Sequence, residues 1–293
     1  MNQANKNVTT NEQEVRANEK HKDSVFTTLF AEPDKMLSLY NALSESQYPP
    51  ETPIEITTLR DVFFKGRYND LSFIVDGKLV VLCEHQSTIN PNMPIRMLIY
   101  LGKVYDKLLK GNAIYKTKLV KLPRPEFIVL YNGKDDFPAE DTLKFSDAFI
   151  DLPSEHKPNG DLELSVRVLN INMGYNETIV QKSTELNGFV AINHEIRKNR
   201  DSGMDINEAV AKAVKDCADR NILSDFLEKY GSEVINMLNT EWNLDEYVAV
   251  QREEAVEDKT IDTALAFLQE GDSPEKVARC TGLPLERVQQ LQA

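Results

Sequence analysis

Residues 70–86 read DLSFIVDGKLVVLCEHQ and contain two apolar runs on either side of Asp76-Gly77. An Asp-Gly pair between two such runs predicts a β-hairpin. A three-residue loop, Val75 to Gly77, places Asp70 and Glu84 on one face of the hairpin as diagonal neighbours. A two-residue loop, Asp76-Gly77, places the two acids on opposite faces, and the pattern fits both loops. We predict the three-residue loop, which the functional interpretation needs.

In the three-residue register, Ile74 faces Lys78, Asp70 faces Leu82 and Tyr68 faces Glu84. Side chains that alternate along a strand point to opposite faces of the hairpin. One face is then wholly apolar, with Leu71, Phe73, Val75, Leu79, Val81 and Cys83, and the other holds Asp70, Ser72, Ile74, Val80, Leu82, Glu84 and Gln86. We expect His85 to pack against the apolar face beside Cys83.

The periodicity of apolar residues predicts an α/β chain with a helical C-terminal part. We expect a flexible N-terminus over residues 1–20, a core over 21–175 and an acidic helical region over 176–293. The patterns predict helices over 22–30, 33–44 and 91–111, strands over 56–64, 126–133 and 162–171, and a terminal helix–turn–helix shape over 273–291.

Length and composition describe an ordinary globular protein of 293 residues, with 41% hydrophobic and 28% charged residues. No stretch approaches the roughly 20 apolar residues of a membrane helix, and the N-terminus has no apolar signal core. The three cysteines are far apart and form no CxxC pair, which argues against a zinc site or a disulfide framework. The sequence predicts a cytoplasmic protein with no membrane partner.

The net charge of −13 argues against a nucleic-acid partner, but the charges are unevenly distributed. Residues 201–293 hold 20 acidic and 9 basic side chains, a net charge of −11. Residues 96–125 hold eight basic side chains and the single acid Asp106, a net charge of +7. A basic run is a solvated face in some proteins and a phosphate-binding surface in others, and both interpretations remain open here.

Two carboxylates on one face of a hairpin repel each other, share a proton or share a cation. Mg²⁺ prefers oxygen ligands, so Asp70, Glu84 and a backbone carbonyl near His85 form a candidate site for phosphodiester hydrolysis. The alternative is purely structural: Asp70 caps a turn, and Glu84 pairs with Arg67 or Arg96.

Asp70 followed by Glu84-His85-Gln86 resembles the signature of the PD-(D/E)XK nucleases. The surrounding text, GRYNDLSFIVDGKLVVLCEHQSTINPNMPIRMLIYLGKVYD over residues 66–106, closely resembles the Rpn family of recombination-promoting nucleases, whose members are also labelled transposases. Residues 22–30 and 268–291 are similar to that family as well. The resemblance implies a restriction-endonuclease-like mixed sheet flanked by helices.

The resemblance also implies roles for individual residues. Asp70 and Glu84 match the metal-binding acids, for Mg²⁺ with Mn²⁺ as a possible substitute, and Asp23 matches an acid that could orient a metal-bound water. Gln86 falls where the superfamily usually has lysine; glutamine keeps a hydrogen bond to water but brings no charge. For Arg96, a phosphate contact and a salt bridge to the acids both remain open.

We therefore predict a metal-dependent DNA endonuclease that acts in recombination, transposition or defence against foreign DNA. Its expected partner is double-stranded DNA, bound through Arg96, Lys103, Lys107 and Lys110, and a homodimer would suit double-strand cleavage. The alternative is a non-catalytic DNA-binding or regulatory protein on a degenerate nuclease scaffold. The acidic C-terminal region could then inhibit DNA binding in cis or in trans, and its helix–turn–helix shape is too poor in positive charge for a recognition helix.

Overall fold

The computed structural model of the chain describes residues 24–44, 46–58, 70–109, 111, 113–150 and 161–292. The chain divides into two compact units, Met1–Asn239 and Thr240–Ala293. The first unit holds the sheet, and the described residues of the second unit are mainly helical. The boundaries after residues 20 and 175 stay predictions.

The described strands of the first unit form one mixed sheet. They are β1 (Ile54–Ile56), β2 (Leu71–Val75), β3 (Leu79–Gln86), β4 (Arg124–Tyr131), β5 (Glu140–Lys144) and β6 (Ser165–Asn170). The strand order is β1-β2-β3-β4-β6-β5. Strands β3, β4 and β6 are parallel to one another, and β1, β2 and β5 are antiparallel to their neighbours. The predicted α/β class with a mixed sheet is confirmed.

Helices precede, connect and follow these strands. They are α1 (Val25–Leu29), α2 (Pro33–Leu43), α3 (Met93–Leu109), α4 (Glu177–Val180), α5 (Thr184–Asp201), α6 (Ile206–Asp219), α7 (Ser224–Gln269), α8 (Pro274–Thr281) and α9 (Leu285–Gln292). The backbone of α7 leaves helical geometry at Gly231, with φ 27° and ψ −105°. Within the described ranges, no helix is long and apolar enough to cross a membrane.

The central hairpin, β2 and β3, has a three-residue loop, but the loop lies one residue later than predicted. Leu71 pairs with Cys83 and Val75 pairs with Leu79, so Asp76, Gly77 and Lys78 form the loop. Asp76 and Gly77 both have positive φ, and the Lys78 N–H donates to the Val75 carbonyl at 3.0 Å. These are the φ signs of a type I′ turn, which Asp-Gly favours.

This register corrects three of the predicted cross-strand pairs. Ile74 faces Val80 rather than Lys78. Continuing the ladder by one pair sets Asp70 directly opposite Glu84, where the prediction had Asp70 opposite Leu82. The predicted partner of Glu84, Tyr68, lies outside the described residues. The assignment of side chains to the two faces is unchanged, because both registers have the same parity.

Helix α3 joins the parallel strands β3 and β4, a connection that needs a crossover of a dozen or more residues. Its buried residues Met93, Met97, Tyr100 and Val104 recur every three or four positions and so form one stripe. That stripe packs on the face of the hairpin that carries Ile74, Val80 and Leu82. Because Asp70 and Glu84 belong to the same face, α3 is the helix next to the acids.

Most predicted elements agree with the structure to within a few residues. The strand predicted over 56–64 differs: β1 covers Ile54–Ile56, and residues 59–64 lie outside the described chain. The edge strand β5 was not predicted, because its residues Glu140–Lys144 are mostly exposed and polar and show no apolar alternation. Helices α8 and α9 lie within the region of the predicted terminal helix–turn–helix shape, and they bury Val277 and Val288 against Ala264.

Candidate active site

The hairpin holds the two predicted metal acids at the carboxyl end of β3. Glu84 lies in the strand, and Asp70 immediately precedes β2. The backbone N–H of His85 donates to Asp70 Oδ2 at 2.7 Å, which fixes the Asp70 carboxylate beside the residue that follows Glu84. The turn chemistry of the hairpin therefore brings the two acids together.

Glu84 is a buried acid with one paired and one unpaired oxygen. The residue is 2% exposed. Its Oε2 accepts a hydrogen bond from Arg96 Nη2 at 2.8 Å. Its Oε1 is buried and has no hydrogen-bond partner among the described residues. A buried carboxylate oxygen without a donor is costly, so this position calls for a proton or a cation.

The environment favours the protonated forms of both acids. Burial, followed by the charge of Asp70, raises the pKa of Glu84 to about 8, while the charge of Arg96 and a hydrogen bond from the Asp70 backbone N–H act in the opposite direction. Burial raises the pKa of Asp70 to about 6, opposed by the hydrogen bond from the His85 N–H and by the charge of Arg96. Two neighbouring carboxylates that resist ionising together are the arrangement that a shared cation relieves.

Arg96 lies in the first turn of α3 and forms the cationic side of the site. Besides its bond to Glu84, its Nε and Nη2 donate to the Tyr100 hydroxyl at 3.2 Å and 3.1 Å. When the Gln86 amide is oriented so that both of its atoms are satisfied, its oxygen accepts from Arg96 Nη1 at 3.2 Å. The salt bridge that the sequence left open for Arg96 is therefore present, and the phosphate contact stays a prediction.

His85 points away from the acids into the opposite face of the sheet, as predicted. Its ring stacks on Phe26 at 5.3 Å and meets Phe189 edge-on at 4.9 Å between centroids. Burial lowers its pKa to about 4, so the imidazole is neutral at physiological pH. His85 therefore packs against α1 and α5, on the face of the sheet opposite the acids.

The predicted DNA-binding residues of α3 share one side of the helix. Arg96, Lys103 and Lys107 are spaced by seven and four residues, which places them in one stripe beside the buried stripe. Lys107 is exposed and Lys103 is half-buried. By the rise of an α-helix, the stripe extends about 16 Å from Arg96 to Lys107. Lys110, predicted to continue it, lies outside the described residues.

The donor set fits a divalent cation in part. The half-buried Asp70 and the buried Glu84 supply two carboxylates, and the unpaired Glu84 oxygen provides an available ligand atom of the kind that Mg²⁺ prefers. Among the described residues, no group of three His, Cys, Asp or Glu side chains could hold a metal ion. Asp23, the predicted third acid, lies outside the described part of the chain.

Tyr100 is a residue of the site that the sequence interpretation missed. Its hydroxyl accepts two hydrogen bonds from Arg96, and its ring centroid lies 5.7 Å from the guanidinium carbon. The available signal was the spacing of four residues between Arg96 and Tyr100, which places the two side chains on neighbouring turns of one helix face.

The fold and the site together define a mixed α/β protein whose central hairpin carries a pair of adjacent acids, the class to which PD-(D/E)XK nucleases belong. The family model described as "Putative transposase, YhgA-like" matches residues 58–225, and the chain belongs to this family, which is part of the PD-(D/E)XK nuclease superfamily. The match includes the hairpin, α3 and the rest of the sheet from β2 onward. Comparisons with curated proteins and with solved structures find no match.

Proposed function

We propose that this protein is a metal-dependent endonuclease that hydrolyses phosphodiester bonds in double-stranded DNA. One observation carries the proposal: the central hairpin sets the half-buried Asp70 beside the buried Glu84 and leaves Glu84 Oε1 without a hydrogen-bond donor among the described residues. Membership of a transposase family within a nuclease superfamily supports the same chemistry. The role we infer lies in recombination, transposition or defence against foreign DNA, in the cytoplasm.

Asp70 and Glu84 are the residues that would hold the cation, with Asp23 as a further candidate ligand or water-orienting acid. Mg²⁺, or Mn²⁺ in its place, would supply Lewis-acid stabilisation of the charge that develops on the phosphate oxygens. The buried position of Glu84 excludes bulk water from its carboxylate, which strengthens the attraction of that carboxylate for a cation.

The remaining side chains would bind and orient. The Gln86 amide can hold the attacking water by a hydrogen bond, without the charge that lysine would add. The stripe of Arg96, Lys103 and Lys107 would bind the DNA backbone and set its direction across the site. A homodimer would present two such sites to the two strands.

Nicking and linearisation of supercoiled plasmid in Mg²⁺ test the proposal. We expect Asp70→Asn and Glu84→Gln to reduce cleavage by at least about a hundredfold, since each removes a charge that the cation needs. Asp76→Asn is the matched control, because it makes the same chemical change in the exposed turn of the same hairpin, at a positive φ that Asn tolerates.

Undiminished cleavage by a folded, clean preparation of either acid variant would refute the proposed site. The second candidate function, DNA binding without turnover, is favoured by the uncharged Gln86 and by the Arg96 side chain that already occupies Glu84 Oε2. Salt-sensitive DNA binding by the wild-type protein, with no cleavage in Mg²⁺ or Mn²⁺, would select that candidate.

A further inference from the structure

The positively charged Arg96 side chain already pairs with one acid of the site, Glu84. Its guanidinium is 2.8 Å from Glu84 Oε2, and the Glu84 side chain is only 3% exposed. The pair is therefore largely shielded from water on the glutamate side. Yet Arg96 satisfies only one of the two Glu84 oxygens, since Oε1 has no partner in the described chain.

A divalent cation bound between Asp70 and Glu84 would compete with Arg96 for the same carboxylate. Mg²⁺ carries twice the charge of a guanidinium and binds carboxylate oxygens directly. A cation and a guanidinium on the same buried glutamate repel each other at short distance and low dielectric. The two occupants of Glu84 therefore exclude each other, at least in part.

Arg96 has other partners that would keep it near the site after it leaves Glu84. The Tyr100 hydroxyl accepts from its Nε and Nη2, and the Gln86 amide oxygen accepts from its Nη1. The Arg96 side chain is 34% exposed, so one side of the guanidinium already faces solvent. It also begins the basic stripe that continues through Lys103 and Lys107.

We propose that Arg96 is a resident counter-ion that a divalent cation displaces from Glu84, and that the displaced guanidinium then binds a DNA phosphate. This inference rests on the proposed function and describes how the same site is regulated. The salt bridge and the phosphate contact are then successive states of one side chain. Arg96 weakens metal binding in the free protein and links metal occupancy to DNA affinity.

The link must act in both directions, because a coupling between two ligands is reciprocal. Metal binding raises the affinity for DNA by freeing Arg96, and DNA binding raises the affinity for metal by holding Arg96 away from Glu84. A protein with this device binds metal weakly when DNA is absent.

Metal affinity without DNA is the first test. Mn²⁺ binding to the full chain is measured by electron paramagnetic resonance at pH 8.5 for wild type, Arg96→Gln, Arg96→Lys and Lys107→Gln. We expect Arg96→Gln to bind Mn²⁺ more tightly by roughly 5- to 150-fold, the usual range of coupling between sites. Lys107→Gln removes one positive charge from the same helix without touching Glu84 and should stay within about twofold of wild type.

DNA affinity with and without a cation is the second test. Fluorescence anisotropy of a labelled duplex is measured in EDTA and in Ca²⁺, a hard cation that takes the same oxygen ligands. We expect Ca²⁺ to tighten DNA binding by wild type and to leave Arg96→Gln without that gain. Arg96→Lys keeps the charge and controls for a loss of folding, which circular dichroism also checks.

The outcomes separate this inference from the proposed function. If Asp70→Asn binds Mn²⁺ as tightly as wild type, the proposed metal site is wrong. If Asp70→Asn abolishes binding but Arg96→Gln binds Mn²⁺ no more tightly than wild type, the acid pair holds the metal and the counter-ion role of Arg96 is refuted. An equal gain of DNA affinity in Ca²⁺ by wild type and Arg96→Gln would also refute it, because Arg96 would then not link the metal site to DNA binding.

Discussion

At the scale of single residues, the site depends on how one glutamate is neutralised. Glu84 has three possible partners for its charge: a proton, the Arg96 guanidinium, and the cation that we propose. The sequence predicted the acid pair and allowed for Arg96, because residue types and spacing carry that information. It could not predict which partner Glu84 takes or that Tyr100 holds Arg96, since both depend on how closely α3 packs against the hairpin.

The raised pKa of Glu84 predicts a pH dependence of stability in EDTA. Between about pH 6.5 and 8, the folded protein keeps a proton on Glu84 that the unfolded chain has already lost. Stability therefore falls as pH rises, by up to about 1.4 kcal/mol per pH unit. The buried His85 acts in the opposite sense only below about pH 6.5, where the unfolded imidazole gains a proton that the folded one refuses.

Urea denaturation at pH 6.5, 7.25 and 8.0 measures this slope. We expect Glu84→Gln to flatten it, since the amide does not titrate, and Asp76→Asn to leave it unchanged. Addition of Mg²⁺ should restore stability at pH 8.0, because the cation takes the place of the proton. An equal slope in wild type and Glu84→Gln would show that another group causes the dependence.

At the scale of elements, alternation and turn chemistry predicted much of the hairpin. Both faces were assigned correctly, because a register with the right parity places the same residues on each side. The position of the loop was wrong by one residue, since apolar side chains continue through Val75 and the pattern does not mark where pairing stops. Edge strand β5 escaped prediction because its exposed side chains have no reason to alternate.

Two glycines of these elements should respond in opposite directions to the same substitution. Gly77 lies in the hairpin turn with φ +65°, and Gly102 lies within α3; neither would bring an added Cβ within 4 Å of another group. We expect Gly77→Ala to cost about 1 kcal/mol, because L residues disfavour positive φ. Gly102→Ala should stabilise the protein by up to about 1 kcal/mol through helix propensity.

The free energy of unfolding, from the same denaturation experiment, distinguishes the two effects. Because both added methyl groups meet open space, packing does not account for either change. Destabilisation by Gly102→Ala would contradict a regular helix at Gly102, and no effect of Gly77→Ala would contradict the positive φ at Gly77.

Helix α3 is also the element that should orient DNA. We expect Lys103→Gln and Lys107→Gln each to weaken binding of any duplex sequence and to reduce the slope of log affinity against log salt by about one. Lys212→Gln in α6, whose lysine pairs with Asp216 at 2.7 Å, is the control for loss of a surface charge elsewhere. Filter binding between 50 and 200 mM salt measures this slope. If the loss of affinity caused by either lysine substitution depends on the sequence of the duplex, the lysines do not act through phosphate contacts.

At the scale of the whole molecule, the chain divides into compact units after Asn239, whereas the acidic helical region is predicted to begin at residue 176. Deleting residues 204–293 would test inhibition by the acidic region if that region were separate. In the structure, such a deletion removes Ala209, Val210 and Ala213, all of which are fully buried in the first unit. A loss of activity would then report unfolding. A stop after Asn239 follows the observed division of the chain.

The segment that this stop removes, residues 240–293, carries 12 acidic and 5 basic side chains. If it inhibits by repelling or replacing DNA phosphates, its loss should raise DNA affinity severalfold at low salt and have little effect near 0.5 M salt, where the Debye length is only about 4 Å. The stop falls within α7, so a second variant is needed that removes charge without removing helix. It is the full-length chain with Glu253→Gln, Glu257→Gln and Asp258→Asn.

Higher DNA affinity in both the truncated chain and the amide variant, lost in both at high salt, would establish electrostatic inhibition. Higher affinity in the truncated protein alone would instead indicate steric blocking by the second unit, and unchanged affinity in both would end the inhibitory proposal while leaving the hairpin site untouched.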